Sequence, residues 1–228
     1  MTDVVLDSVH EAFQGRVRCW RLHLDLTQAP NSAVLDLLAP EERQVLQRFQ
    51  QQEDRVRFAG VRAALRQVLA VEYGLKQPVQ IQRDPFGKPV LAEPCGLEFN
   101  VSHAGALGLI AVSRVGWVGV DVERQLPLEI ASLAELACTP LERETLARLD
   151  EAAQRVEFFR LWVGKEAALK AVGTGIAGGH MSLLSLLDNG CLRAEGSLPF
   201  NASLIQVEAL PVSDGYCAAV ALSFCAAP

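Results

Sequence analysis

The sequence lacks the features that mark several common functional classes. Six cysteines are present, but no two form a CxxC or another close metal-ligand spacing, which argues against zinc and against a disulfide framework. No apolar run approaches the length of a membrane span, and residues 1–15 lack the basic-then-apolar order of a signal peptide. The net charge of −6 excludes a general polyanion-binding surface. We therefore expect a cytoplasmic protein with reduced thiols that binds neither nucleic acid nor membranes.

The 228 residues, half of them apolar, are enough for one large domain or two small ones. No proline- or glycine-rich linker divides the chain, and the order strand, helices, strands occurs in each half. We therefore predict an α+β fold of two similar α/β lobes, residues 1–114 and residues 115–228, that share one interface. A monomer is the expected state.

Local patterns predict the individual elements. An apolar stripe predicts a helix over 53–73 that ends at Gly74, and the capping box Thr139 to Glu142 starts another. Asp150 is expected to cap the helix that follows. Alternation and turn signals predict strands over 16–26, 78–82, 89–91, 97–103, 107–114, 117–123, 182–187, 191–195, 203–209 and 216–224.

The stretch from Val156 to Gly175 carries a carboxylate and an amine on its apolar side, where an ordinary amphipathic helix has no charged residues. On a helical projection Glu166 and Lys170 fall inside the apolar stripe, beside Phe159 and Trp162. A buried carboxylate is costly unless it is paired or binds a metal, so this position indicates a functional site. The alternative is a simple i,i+4 pair that supports the helix surface.

The glycines that follow this helix spell GxGxxG from Gly173 to Gly178. A dinucleotide-binding fingerprint needs a strand before it, and here a helix precedes it, so a glycine C-cap followed by a loop is the preferred interpretation. No GxxxxGK[ST] loop is present either, which argues against a nucleoside triphosphate site of that kind.

A second acidic segment runs from Gly119 to Glu123. If it is a strand, Asp121 and Glu123 share one face, where their charges repel unless a cation lies between them. Should Glu166 reach the same place, three oxygen ligands would come from rigid elements, a set that suits Mg²⁺. The alternative is an exposed edge strand with ordinary acids.

Basic residues concentrate in one stretch only. Six arginines lie between residues 43 and 66, and Arg62 lies on the face shared with Arg55 and Arg66. Most of them are expected to form a solvated helix surface balanced by nearby acids. In an acidic protein this stretch is nevertheless the place to look for phosphate contacts.

Together these segments resemble the 4′-phosphopantetheinyl transferases of the type that activates surfactin synthetase. The resemblance covers about residues 40 to 180, and the acidic pair followed by WxxKExxxK is its specific part, whereas GKP or NVSH alone would be weak. The chain length resembles the single-chain, two-lobed branch of the family. The matching segments, in the order of the family, are Gly87 to Pro89, Phe99 to Ala104, Gly119 to Glu123 and Trp162 to Gly173.

The resemblance implies a pseudo-two-fold fold with CoA between the lobes. It implies transfer of 4′-phosphopantetheine from CoA to a serine of an apo acyl or peptidyl carrier protein, with release of 3′,5′-ADP. CoA is then the substrate, and Mg²⁺, with Mn²⁺ as the alternative, is the metal. Asp121 and Glu166 would hold the metal, and Glu123 would be a third ligand or a partner to a water on it.

Further roles follow from the same resemblance. Glu166, Lys170 and His103 are the catalytic candidates: Glu166 would accept the proton of the serine, as well as or instead of binding metal, and Lys170 would hold the pyrophosphate. Ser102 and His103 would contact CoA phosphates. Further CoA contacts are expected from three basic residues along the nucleotide, with the first of them toward the 3′-phosphate: Arg57, Arg62 and Lys88.

One departure from the family pattern concerns the 3′-phosphate. Glu42 and Val45 stand where members often carry lysines, so Arg43 or Arg48 is the alternative contact from that stretch. Two other functions remain open at this point: a weak or inactive homologue that binds CoA or a carrier, and another Mg²⁺-dependent phosphotransferase.

Overall fold

The computed structural model describes residues 5–84, 87–175 and 178–224. Its helices are α1 Ser32–Asp36, α2 Pro40–Leu46, α3 Gln52–Tyr73, α4 Ile130–Ala137, α5 Pro140–Ala147 and α6 Glu151–Ala171. Its strands are β1 Val5–Ala12, β2 Val17–His23, β3 Ile81–Arg83, β4 Pro89–Leu91, β5 Glu98–Ala104, β6 Leu107–Ser113, β7 Trp117–Arg124, β8 Leu184–Leu186, β9 Leu192–Ala194, β10 Ile205–Ala209 and β11 Tyr216–Ser223. The predicted α+β class is confirmed.

The N-terminal lobe is an antiparallel sheet covered by a long helix. The strand order is β1-β2-β6-β5, and α3 packs on one face. Trp20 and Leu22 of β2 meet Ile110 and Val112 of β6 in this core, as their alternation predicts. The β3–β4 hairpin lies beside the sheet.

The C-terminal lobe repeats this plan with fewer strands. Its sheet has the order β10-β11-β7, and α6 packs against both β7 and β11. Phe158, Leu161 and Leu169 of α6 are buried in its core. Each lobe thus has one main antiparallel sheet with one long helix packed on it, beside a two-stranded hairpin (β3–β4 or β8–β9) and shorter helices, which agrees with the predicted pair of similar lobes. The boundary between residues 114 and 115 stays a prediction.

The two lobes share an apolar interface because β6 is buried on both faces. Leu109 and Ala111 point away from α3 and pack with Val118, Val120 and other residues of β7 and β11. The apolar face predicted for β7 therefore covers the first lobe, and the opposite face of β7 is left for Asp121 and Glu123.

Most of the predicted helix ends are confirmed. Asp150 accepts a hydrogen bond from the backbone N–H of Ala153, and Thr139 forms the capping box with Glu142. Gly74 closes α3 with a φ of 70°, in the left-handed region that glycine adopts easily. None of the described helices is long and apolar enough to cross a membrane.

Two predicted loops are only partly described. After α6, Gly173 adopts a φ of 81°, as a glycine that ends a helix does. The rest of the GxGxxG stretch includes residues 176 and 177, which lie outside the described residues, as do residues 85 and 86 in the turn between β3 and β4.

Candidate metal and phosphate site

The site forms where β7 and α6 come into close contact. Gly119 of β7 has no room for a side chain, because a Cβ there would collide with the backbone of Ala167 and Ala171. This close approach brings the acidic face of β7 against the face of α6 that carries Glu166 and Lys170. The glycine of the GVDVE segment therefore has a packing reason that the sequence pattern did not reveal.

Three carboxylates meet at this contact. Oxygen atoms of Asp121, Glu123 and Glu166 all lie within 4.8 Å of one another. Asp121 and Glu166 are buried, with 1 % and 8 % of their surface exposed, and Glu123 is half-buried. Neither the exposed edge strand nor the surface helix pair describes this arrangement, because two of the three acids are inside the protein.

Lys170 joins the same cluster. Its Nζ lies 2.7 Å from Oδ1 of Asp121 and 3.1 Å from Oε1 of Glu166, and it donates to Oγ of Ser102 at 3.2 Å. Burial alone would lower the pKa of Lys170, but the two carboxylates outweigh that effect and raise it. The ammonium group therefore stays charged.

Ser102 and Asn100 attach the N-terminal lobe to this cluster. Both side chains lie on the same face of β5 and accept hydrogen bonds from the backbone of β7. Oδ1 of Asn100 accepts from the N–H of Val120 at 3.0 Å, and Oγ of Ser102 accepts from Val122 at 3.4 Å. The Ser102 hydroxyl also donates to Oδ1 of Asp121 at 2.9 Å. The period-two spacing of Asn100 and Ser102 was the available signal for this role.

The carboxylates carry more negative charge than Lys170 balances. Partial burial, together with the charges of Asp121 and Glu166, raises the pKa of Glu123 to about 7. Burial and Asp121 also raise the pKa of Glu166, although Lys170 opposes that shift. The indole N–H of Trp162 is close enough to lower both values, yet it is buried without a well-formed hydrogen bond.

The donor set fits a hard divalent cation. Oδ2 of Asp121 and Oε2 of Glu166 are buried and accept no hydrogen bond from the described residues. Buried carboxylate oxygens normally have partners, so these two are available as ligands. Together with Glu123 they offer the few oxygen atoms that Mg²⁺ takes from a protein when water and phosphate complete its shell.

His103 lies near the end of β5, and Arg57 of α3 binds the turn that follows this strand. The Arg57 Nε donates to the carbonyl oxygen of Gly105 at 2.8 Å, and its Nη atoms pair with Asp54 and Glu53 at 2.8 and 2.9 Å. His103 is exposed as a residue, but partial desolvation of its ring and the charges of Arg57 and Lys170 lower its pKa. At neutral pH the imidazole is therefore uncharged and offers a hydrogen bond instead of a charge.

Lys88 lies near the end of α6, outside the carboxylate cluster. Its Nζ is 5.2 Å from the centre of the Trp117 ring and 3.4 Å from the carbonyl oxygen of Ala171. Burial lowers its pKa. The ammonium group of Lys88 therefore lies between the two lobes, on the side of the carboxylate cluster where α6 ends.

Arg62 borders a separate cavity of about 470 Å³ between α2, α3 and the β3–β4 hairpin. Phe58 and Arg83 also line this cavity. Glu42 reaches into it and pairs with the buried Arg66 at 2.7 Å and with Arg62 at 3.7 Å. The acid at the position where family members often carry lysine is thus held by arginines from α3.

Arg43 and Arg48, the alternative contacts to the 3′-phosphate, have different surroundings. Arg43 donates from Nε to the carbonyl oxygen of Leu38 at 3.2 Å and lies 3.8 Å from Asp36. Arg48 is exposed. Arg43 therefore stabilises the start of α2. Neither Arg43 nor Arg48 is among the described residues that line the cavity, whereas Arg62 is.

Lys165, the first lysine of the WxxKExxxK segment, lies outside the site. It is completely buried, and its Nζ donates to the carbonyl oxygen of Ala137 at 2.7 Å and to the carboxylate of Glu142. Glu142 is also the last residue of the capping box that starts α5. This lysine fixes α4 and α5 against α6, a role that depends on contacts distant in sequence.

Two family models match most of the chain. The model described as "4′-phosphopantetheinyl transferase superfamily" covers residues 117–221, and the model described as "4′-phosphopantetheinyl transferase, N-terminal" covers residues 26–115. The first contains all three carboxylates and Lys170, and the second contains Arg57, Lys88 and the segment from Asn100 to His103.

Named relatives agree with these matches. HetI, a 4′-phosphopantetheinyl transferase of Nostoc sp., is 36% identical over 167 residues, which are 71% of this chain and 70% of the relative. A protein of Synechocystis sp., named as a candidate 4′-phosphopantetheinyl transferase, is 40% identical over 63% of this chain and 60% of its own length. The 4′-phosphopantetheinyl transferase Sfp of Bacillus subtilis is 27% identical over 71% of this chain and 72% of the relative. The chain therefore belongs to the 4′-phosphopantetheinyl transferase superfamily.

Proposed function

We propose that the protein transfers the 4′-phosphopantetheine group of CoA to a serine of an apo carrier protein, with Mg²⁺ held by Asp121, Glu123 and Glu166. The observation that carries this proposal is the meeting of three carboxylates with Lys170 where β7 and α6 of the C-terminal lobe contact Ser102 of the N-terminal lobe. Two of the carboxylate oxygen atoms are buried without partners among the described residues. Membership of the family supplies the substrate class. Bound Mg²⁺ would neutralise negative charge on the pyrophosphate of CoA.

The chain's own residues have distinct parts in this reaction. The serine oxygen of the carrier forms a bond to the β-phosphorus of CoA, the bond from that phosphorus to the bridging oxygen breaks, and 3′,5′-ADP leaves. Glu166 is proposed as the acceptor for the serine proton, as well as or instead of a metal ligand, because its carboxylate lies in the cluster 3.1 Å from Lys170, which would hold the pyrophosphate. Lys170, which stays charged, contacts the pyrophosphate, and the neutral His103 donates a hydrogen bond to a phosphate oxygen.

The nucleotide end of CoA would extend from this cluster toward α3. Arg57 and Lys88 would contact it on the way. This placement is supported by the next residue in each case, Phe58 and Pro89, which lines the cavity beside Arg62. The cavity is lined by Arg62 and Arg83, whose guanidinium groups suit a phosphate, and also by the acids Glu41 and Glu42. We assign the 3′-phosphate to this region, with Arg57 and Arg62 as its contacts.

The test is incubation with CoA, Mg²⁺ and a panel of apo carrier proteins, read by intact mass. We expect at least one carrier to gain the phosphopantetheine group, and we expect a chelator to abolish the gain. The matched control is the same carrier with its acceptor serine replaced by alanine. If no carrier is modified with Mg²⁺ or Mn²⁺ while CoA still binds, the protein is a CoA-binding homologue without transferase activity. Transfer of phosphate from a nucleoside triphosphate would indicate a different phosphotransferase.

A further inference from the structure

The turn between β5 and β6 is held from both lobes at once. From the N-terminal lobe, Arg57 donates through Nε to the carbonyl oxygen of Gly105 at 2.8 Å. From the C-terminal lobe, the hydroxyl oxygen of Tyr216 accepts a hydrogen bond from the backbone N–H of Ala106 at 3.1 Å. The carbonyl of Ala106 accepts in turn from the N–H of Leu24 at 2.8 Å. The turn directly follows Ser102 and His103.

Gly105 shows how closely the tyrosine approaches this turn. Its φ of 52° lies in the left-handed region, and a Cβ at this position would collide with the hydroxyl oxygen of Tyr216. A glycine is therefore required for two reasons, its backbone conformation and the contact with the phenol. The hydroxyl group rests directly on the turn, with no space for an intervening side chain.

The position of Tyr216 is fixed by the strand that carries the metal candidates. Tyr216 is the first residue of β11 and pairs with Arg124 of β7. The next residue of β11, Cys217, pairs with Glu123. The pairing of β11 with β7 therefore fixes the position of the tyrosine hydroxyl relative to Glu123 and Asp121. Because the hydroxyl binds the turn, the turn is held at a fixed position relative to these carboxylates.

We infer that Tyr216 is a positioning residue for CoA binding. Its hydroxyl holds the turn after Ser102 and His103, and through the Gly105 carbonyl it also holds Arg57. The phosphate-binding groups of the first lobe are thereby kept at a fixed place relative to the carboxylates of the second lobe. This inference rests on the proposed function, because it assumes that CoA spans the two lobes.

The test variant is Tyr216→Phe, which keeps the ring and removes the hydroxyl. The N–H of Ala106 then loses its partner, and the turn is free to shift against Arg57. A lost neutral hydrogen bond of this kind corresponds to an increase of about 3- to 10-fold in the KM for CoA. We expect kcat to stay within about twofold and the KM for the carrier to stay unchanged, because the contacts of Glu166 and Lys170 are untouched.

Tyr73→Phe is the matched control, because it removes the hydroxyl of the only other tyrosine. Tyr73 is the last residue of α3 and packs on Trp20, with ring centres 5.9 Å apart. Arg57, which binds the turn, lies sixteen residues earlier on the same helix, so Tyr73 is about 24 Å away from it along the helix axis. We expect this control to leave the KM for CoA unchanged. The binding of CoA is also measured by calorimetry with wild type and both variants, independently of turnover.

The outcomes separate the inference from the proposed function. A Tyr216→Phe protein with wild-type KM and wild-type CoA affinity overturns the positioning role while the transferase assignment stands. A lower melting temperature and a lower kcat with an unchanged KM for CoA also overturn the positioning role, since that result indicates a purely structural role for Tyr216. If wild type transfers nothing but binds CoA, weaker binding by Tyr216→Phe alone still supports the inference. If the wild-type protein binds no CoA, both the positioning role of Tyr216 and the proposed transferase function are overturned.

Discussion

Replacing Lys165 by methionine is the sharpest test of how the WxxKExxxK segment is used. The lysine is fully buried between α6 and α5, and its Nζ contacts the Ala137 carbonyl and the Glu142 carboxylate. The structure gives it no contact with the carboxylate cluster. We therefore expect Lys165→Met to lower the free energy of unfolding and to leave the CoA affinity of the folded protein unchanged.

The magnitude follows from what remains around Glu142. Removing one partner of a buried ion pair typically costs about 3–5 kcal/mol, because the other charge is left without compensation. Glu142 would still accept hydrogen bonds from the backbone N–H of Thr139 at 2.8 Å and of Leu186 at 3.0 Å. These two donors stabilise the remaining carboxylate, so we expect a loss near the lower end, about 3 kcal/mol.

The double variant Lys165→Met with Glu142→Gln measures the coupling. Both charges are then gone, and the loss should be smaller than the sum of the single losses by about 2 kcal/mol. Arg155→Met is the control on the same helix, because Arg155 pairs with the exposed Glu151 and should contribute less than about 0.5 kcal/mol. Urea unfolding with unchanged m-values gives the free energies, and calorimetry gives the CoA affinity.

Two results would refute this reasoning. If Lys165→Met unfolds within about 1 kcal/mol of wild type, the buried pair contributes little and the packing of α5 on α6 does not depend on it. If the variant is folded and stable but binds CoA weakly, the lysine contacts the ligand in a conformation different from the one described.

The remaining predictions concern the charged site itself. In the metal-free protein the pKa of Glu123 is raised to about 7, so the folded state binds more protons than the unfolded state, and thermal stability should fall as the pH rises from about 4.5 through 7. Melting curves with a chelator should show this fall in wild type and a smaller one in Glu123→Gln; equal slopes would contradict the shift. Glu166→Gln should reduce turnover by at least about 10²-fold and should weaken stabilisation by CoA with Mg²⁺, without lowering the metal-free melting temperature. Normal turnover would remove Glu166 from the mechanism. Arg57→Ala and Arg62→Ala should each weaken CoA more than dephospho-CoA, by about 1.5–3 kcal/mol for a lost charge-assisted contact. Calorimetry that shows equal losses for both ligands would place the 3′-phosphate elsewhere.

Local patterns predicted most of the fold because its elements carry strong end signals. The caps at Asp150 and Thr139 and the glycine at 74 are contacts between near neighbours, so the sequence contains both partners. Strand β1 was not predicted, and the pairing of β1 with β2 shows why. Its register shifts between Asp7 and Val9, so the simple alternation that marks a strand is interrupted.

The predicted strand over 78–82 also differs from the structure. The observed β3 is Ile81–Arg83 and pairs only with the three residues of β4. Val79 before it is buried, and its carbonyl accepts from Nε of Arg66, so this part of the chain is tied to α3 instead of to a strand. A side chain from a distant helix replaced the sheet pairing that alternation alone predicts.

The carboxylate cluster could be predicted in part. The misplaced Glu166 and the paired acids of β7 indicated a site, because periodicity shows which face a residue occupies. Periodicity does not show which faces meet. The contact of Gly119 with α6, the pairing of Lys165 with Glu142 and the approach of Tyr216 to Gly105 all join residues far apart in sequence. Those contacts depend on packing between elements, which a single sequence does not specify.

The carboxylate cluster needs both lobes, because one edge of β7 has no neighbouring strand in its own sheet among the described residues. β11 pairs with one edge of β7, so the N–H groups of Val120 and Val122 on the other edge need partners. Asn100 and Ser102 of the first lobe supply them. These bonds fix the backbone on both sides of Asp121, and Ser102 also donates to the Asp121 carboxylate itself. A separated C-terminal lobe would therefore keep the three acids in its sequence but lose the contacts that hold Asp121 against Lys170.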